Sequence, residues 1–109
     1  MSAKYVQRGE VLDYKNGTTD TIKANTIMKF GGKVGVIGGD IPPNEVGAIH
    51  MVGVFEMPKV DSTEVMGLGQ NVYLDEDAIT TAESGNTLVG YTVTESVATQ
   101  LTVIVKLVG

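Results

Sequence analysis

At 109 residues, 42% of them hydrophobic, the chain is long enough for one domain with one core and too short for separate cofactor and substrate domains. Thirteen acidic residues against eight basic ones leave a formal charge of −5, and no Lys or Arg cluster exceeds the loose spacing of Lys23, Lys29 and Lys33, so nucleic acid is not expected as a partner. The lack of cysteine removes disulfides and thiolate metal sites, and no apolar run approaches the roughly 20 residues of a membrane-spanning helix.

The opening Met1–Tyr5 carries no apolar stretch of the kind a secretory leader needs, so the chain is expected to be made and used in solution, with no membrane partner. Fourteen glycines, abundant Thr and Val, and short apolar runs set between turn residues predict an all-β chain. Glu10–Tyr14 is the first strand. Asn16-Gly17 behind it accepts the positive φ angles of a tight hairpin, which places a returning strand near Thr21–Ala24. Val34–Ile37 follows as a short buried strand bracketed by glycine pairs, and Pro42-Pro43 bars a helix from starting after it.

Ala48–Met57 reads as one long strand. Ile49, Met51, Gly53, Phe55 and Met57 share one face, and His50, Val52, Val54 and Glu56 the other, both mostly apolar; Pro58 ends the ladder because it has no N–H. Asp61–Met66 has room for one helical turn at most. Val72–Leu74 and Leu88–Val93 are further short strands, set off by the acidic turn Asp75-Glu76-Asp77 and the turn Glu83–Asn86. In the final strand Leu101, Val103, Val105 and Leu107 alternate with Thr102, Ile104 and Lys106, giving one apolar face. Seven or eight short strands predict a small single-domain β-barrel or sandwich, jelly-roll or β-tulip-like, covering residues 1–109 without an internal repeat.

The motifs that suggest chemistry lack their context. Lys33–Gly39 looks like a strand entering a dinucleotide-binding turn, but Asp40-Ile41-Pro42-Pro43 stands where the phosphate-facing helix should begin. Gly32-Lys33-Val34 is no P-loop, since Val34 replaces the hydroxyl that would hold magnesium. His50 is the single histidine, with no second His or Cys to complete a metal site and no Gly-x-Ser-x-Gly elbow to serve. Asp75-Glu76-Asp77 lacks the spacing of a calcium loop and reads as a solvated turn. No cofactor, metal or catalytic residue is expected, and the chain reads as no enzyme; a carboxylate-only hydrolase would need Asp40, Asp61, Asp75 or Asp77 to converge in a cleft.

Particular segments go further: Tyr5–Val11, Gly32–Val36 followed by Asp40-Ile41, Glu45–Ala48, Gly53–Lys59, Gly69–Tyr73, Asn86–Gly90 and Val103–Leu107. In this order, nearly end to end, they resemble a family of small phage and prophage capsid decoration, or cement, proteins. Gly53-Val54-Phe55-Glu56-Met57-Pro58-Lys59 is the most specific of them. Members of the family are at times labelled recombinase-like, a label for which this chain has neither the P-loop nor the basic charge.

The resemblance implies a structural protein made in the host bacterial cytoplasm and bound to the exterior of the virion capsid. There it would bridge neighbouring copies of the major capsid protein and stabilise the shell. Self-association as a homotrimer at three-fold positions or a homodimer across two-folds is expected with it. The expected contact residues are Tyr5 and Gln7 in a short N-terminal arm able to add a strand to a partner's sheet, together with Phe55, Met57, Pro58 and Lys59, which are either core or interface. The alternative is a small β-barrel binding a ligand or saccharide, a reading weakened by the absence of Trp and the small number of aromatic residues.

Overall fold

Short runs of β-branched and apolar residues, each closed by Gly, Asn or Pro, build strands of three to seven residues in the computed structural model, which describes residues 1–108. Among the described residues there are nine strands and no helix. They are β1 (Val11–Lys15), β2 (Ile27–Phe30), β3 (Lys33–Ile37), β4 (Val46–His50), β5 (Val52–Pro58), β6 (Asn71–Asp75), β7 (Ala78–Thr80), β8 (Thr87–Thr92) and β9 (Thr102–Val108). The first four form one antiparallel sheet in the order β1-β4-β3-β2, and the other five a second in the order β5-β9-β8-β6-β7. The all-β barrel or sandwich class read from the sequence is the class observed.

Both sheets curl until their edges approach. In the first, β1 and β2 lie at opposite edges, yet the rings of Tyr14 and Phe30 stand 6.3 Å apart over a small core of Ile37, Ile41, Ile49 and Met51. In the second, a parallel bridge between Lys59 and Ile79 ties the end of β5 to β7 around a larger core that includes Met57, Val72, Val103, Val105 and Leu107. Strand β3 joins the two: Val34 and Val36 pack into the larger core, while Ile37, on the other face, packs into the smaller. The two-residue side-chain period of a strand is what lets one segment serve both.

The two sheets share a topology. Matching β1, β2, β3 and β4 to β5, β6, β8 and β9 reproduces chain order and sheet order alike, with β7 an addition at one edge. The connections match as well. Ile22 bridges Ile41 just ahead of β2 and β4, and Met66 bridges Ser96 just ahead of β6 and β9. Three residues beyond the bridging position, Asn25, Asn44 and Gly69 all take positive φ, at 69°, 65° and 74°. Asn and Gly are the residues that enter this left-handed region most readily, so the turn recurs with the residue type it needs. The expectation of no internal repeat is thereby corrected. The duplication lies in strand order and turn geometry, and the side chains on the two copies differ too much to show it in sequence.

Four further expectations change. Asn16-Gly17 is not a hairpin turn: β1 pairs with β4, and of the predicted return strand only the single bridge at Ile22 exists. Asn16 is instead fully buried and anchors the connection. The long strand Ala48–Met57 is two strands, because Met51 breaks the ladder and hands the chain from one sheet to the other; Ile49 and Met57 therefore point into different cores. Strands β2 and β7 were not foreseen, since Ile27–Phe30 and Ala78–Thr80 are too short to show a period. Leu101 precedes the final strand and is exposed.

Candidate interaction surface

Strands β5 and β9 lie side by side, Pro58 opposite Thr102, and both end at the same pair of loops, 59–70 and 93–101. These loops are bound to each other along their length. The Lys59 N–H donates to the Leu101 carbonyl at 3.0 Å, and Met66 and Ser96 exchange two backbone hydrogen bonds of 2.9 Å. Ser96 Oγ donates to the Thr102 carbonyl at 2.9 Å, while Thr92 Oγ1 receives the Gln70 N–H at 3.0 Å and donates to the Gly67 carbonyl.

Lys59 completes the connection. Its side chain is buried, and its ammonium donates to the carbonyls of Ser62 at 3.5 Å and Val97 at 3.2 Å, one in each loop. A buried ammonium is tolerated where carbonyl oxygens replace its hydration shell. The loop entrance is set locally: Asp61 Oδ1 accepts the Thr63 N–H at 2.9 Å and the Thr63 hydroxyl at 2.6 Å. Those two hydrogen bonds, the hydroxyl's first, hold the Asp61 carboxyl below the ordinary aspartate range, with a smaller contribution from the Lys59 charge.

The outer side of this tip exposes large apolar side chains among the polar Thr63, Gln70, Thr94, Thr99 and Gln100. Val60, Val65, Leu68, Val97 and Leu101 are all exposed, Leu68 at 69% and Leu101 at 71%. Their charged neighbours at the surface are acidic, Asp61 and Glu95. The corresponding tip of the first sheet, built by residues 16–26 and 38–45, is polar: Thr18, Thr19, Asp20, Lys23, Asp40 and Asn44 are exposed there. Val46, the first residue of β4, is the one exposed large apolar side chain at that end among the described residues.

The residues expected at contacts do not gather in one place. Tyr5 and Gln7 belong to the exposed arm, which meets the fold at Gly9, where an Arg8–Glu10 ion pair of 2.6 Å flanks a φ of 80°. Pro58 is exposed at the other end of β5. Phe55 is half-buried with its ring 6.1 Å from that of His50, and Met57 and Lys59 are buried within the chain. The apolar tip that begins just beyond Lys59 was not anticipated. In sequence its residues are single apolar letters scattered among turn residues, and a weak signal lies only in their excess over the polar first tip.

Beside the arm, an open cleft of about 350 Å³ is lined by Leu12, Phe30, Lys33, Met51, Val52 and Val108 among others. It offers one aromatic ring and one charge, few of the oriented polar groups that a small-ligand site uses. Asp40, Asp61, Asp75 and Asp77 are all exposed and sit in three separate turns, and among the described residues no group of three or more His, Asp or Glu is placed to hold a metal. No helix is long and apolar enough to cross a membrane among the described residues.

Two curled antiparallel sheets ending in hydrogen-bonded loops form a small all-β protein of the barrel or sandwich class. The model of the phage cement protein family matches residues 6–107, nearly the whole chain, and the protein belongs to that family. The family is a structural one of the phage capsid, and its members are not enzymes. Among curated proteins no match is found, and none among solved structures.

Proposed function

We propose that the protein attaches in many copies to the outer surface of the assembled phage head, bridges neighbouring major capsid subunits and stabilises the shell against internal pressure. The observation that carries this reading is the family match over residues 6–107. The architecture suits the role. Two small cores are joined through β3, and the loops at the ends of the sheets present exposed residues to a lattice. Attachment need not be tight at any one point, because each further contact on a repeated surface forms at an effective concentration near the millimolar range.

Self-association belongs to the same reading, as a homotrimer or homodimer matching the symmetry of the lattice. The arm is its natural instrument: Tyr5 and Val6 are exposed, and the arm carries Lys4 and Arg8 without an acidic residue, while the rest of the chain is strongly acidic. Opposite charge favours contact of one copy's arm with another copy's body. Synthesis in the host bacterial cytoplasm completes the picture.

The test is co-sedimentation of the purified protein with expanded, undecorated heads of the cognate phage and with compact procapsids, across a salt series. Saturable binding to expanded heads supports attachment after shell maturation. Failure to bind either particle removes the capsid reading and turns attention to the cleft beside Phe30 and Met51 as a ligand site.

A further inference from the structure

We infer that the apolar loop tip formed by residues 60–68 and 97–101 is the surface that docks on the capsid, against an apolar depression rimmed by Lys or Arg on the major capsid subunit. This rests on the capsid reading above and names the surface through which it acts.

The first argument is a comparison within the molecule. Both sheets end in the same backbone device, a bridge between two segments each followed by a turn into a strand. At the first sheet the device is finished with Thr, Asp, Lys and Asn, so the fold does not demand apolar side chains at its tips. The second sheet nonetheless exposes Val60, Val65, Leu68, Val97 and Leu101 in the equivalent place. An apolar surface that the backbone does not require, beside a polar one on the same framework, is explained by a partner.

The second argument is order. A docking surface made of loops is useful only if the loops are held, and here Lys59, Thr92 and Ser96 fasten the two segments to each other and to β9 from beneath. Buried polar side chains that tie the loop backbone to itself and to the adjoining strands fix the shape of the tip before any partner arrives, so little conformational entropy is lost on docking.

Size and charge identify the occupant. Five partly exposed Val and Leu side chains present on the order of 400 Å² of apolar surface, well short of the roughly 800 Å² per partner of a stable free-standing interface. A second copy meeting this tip in solution would be held weakly, whereas a lattice of identical sites multiplies a contact of this size. The exposed charged side chains at and beside the tip, Asp61 and Glu95, are acidic, Glu64 is half-buried against Thr81, and Lys59, whose charge acts on Asp61, is buried, so the complementary partner surface carries exposed cations around an apolar centre.

The experiment compares the wild-type chain, Leu68→Asp/Leu101→Asp, and Thr19→Asp/Asn44→Asp on the polar tip as a charge-matched control, in binding to expanded heads. All four positions are exposed, and an unchanged unfolding midpoint verifies folding. The expected result is at least a tenfold loss of affinity for the apolar-tip variant and less than a twofold change for the control. If the acidic variant unfolds, Leu68→Ser/Leu101→Ser takes its place. Amide exchange on decorated heads gives an independent readout, with slowing expected across residues 60–68 and 97–101. Equal binding by wild type and the apolar-tip variant overturns the docking assignment while leaving the capsid reading intact. Lack of binding by the wild type removes the capsid reading itself. If the variant loses self-association but keeps its affinity for heads, the tip belongs to a second copy and the assignment is again overturned.

Discussion

Asn16 and Asp61 make the same local motif, in the connection that follows the first strand of each sheet: each accepts both the N–H and the hydroxyl of the threonine two residues on, Thr18 and Thr63. Their surroundings differ. Asn16 is fully buried, and its Nδ2 also donates to the carbonyls of Asp20 at 2.7 Å and Ile41 at 2.8 Å, pinning the first connection to the segment ahead of β4. Asp61 faces solvent and organises only its own turn. One motif thus serves as a core anchor in one half and as a loop former in the other.

Replacement of Asn16 should therefore be costly. Asn16→Ala removes four hydrogen bonds, leaving the Ile41 carbonyl with only the Ile22 N–H, for an expected loss of about 2–3 kcal/mol in chemical denaturation. Asn16→Asp keeps the acceptor but loses the donor, so it should destabilise the chain to a similar degree.

Asp61 gives a pH-dependent counterpart. Its carboxyl is held below the ordinary value of about 3.9, so it adds stability above that pH and the contribution disappears as the pH falls through the lower folded value. In Thr63→Val, which lacks the hydroxyl, NMR titration should show Asp61 moving up toward the ordinary value. A titration unchanged from wild type would contradict the role given to Thr63.

Lys59 acts through its ammonium at the base of the apolar tip. Lys59→Met preserves the apolar stem but removes the ammonium's hydrogen bonds to the Ser62 and Val97 carbonyls, leaving the latter with only the Gln100 N–H, with an expected loss of about 1–3 kcal/mol. Amide exchange should locate the effect, quickening in residues 60–69 and 94–101 before the strands are affected.

Gly90 on β8 lies so close to β9 that an added Cβ would overlap the Lys106 carbonyl, a backbone group that cannot step aside. Gly90→Ala should force β8 and β9 apart and lower stability by about 2–3 kcal/mol, read from the denaturation midpoint. Gly39→Ala, where nothing lies within 4 Å of the new atom, is the control and should stay within about 0.5 kcal/mol of wild type.

Removal of residues 2–8 tests the arm. Every residue in this stretch is exposed and none belongs to a strand, so the unfolding midpoint should be unchanged within about 0.5 kcal/mol. Sedimentation should show weaker self-association, and retention of full self-association would exclude the arm as its instrument.

How legible each part was depended on the distance over which its cause acts. The final strand was plain because Val103, Val105 and Leu107 alternate with polar or half-buried neighbours, a pattern contained in seven consecutive residues. The split of Ala48–Met57 at Met51 was not, since the apolar alternation runs through the break and only the presence of two cores, one on each side, shows where the chain changes sheets. Asn16-Gly17 misled for a related reason: its residues satisfy a hairpin turn locally, while the fold uses Asn16 for hydrogen bonds to Ile41, far along the chain.

By itself the sequence determined a β protein without thiol chemistry, with strands marked by a two-residue period, and it carried enough ordered motifs to point to its family. Those properties depend on composition and on neighbours in the chain. Strand order, the doubling of one four-strand topology and the apolar tip were decided by tertiary structure alone. Val65 and Leu68 become part of one surface with Val97 and Leu101 only when Met66 pairs with Ser96, and pairing between distant segments follows from how the cores close and not from any local pattern.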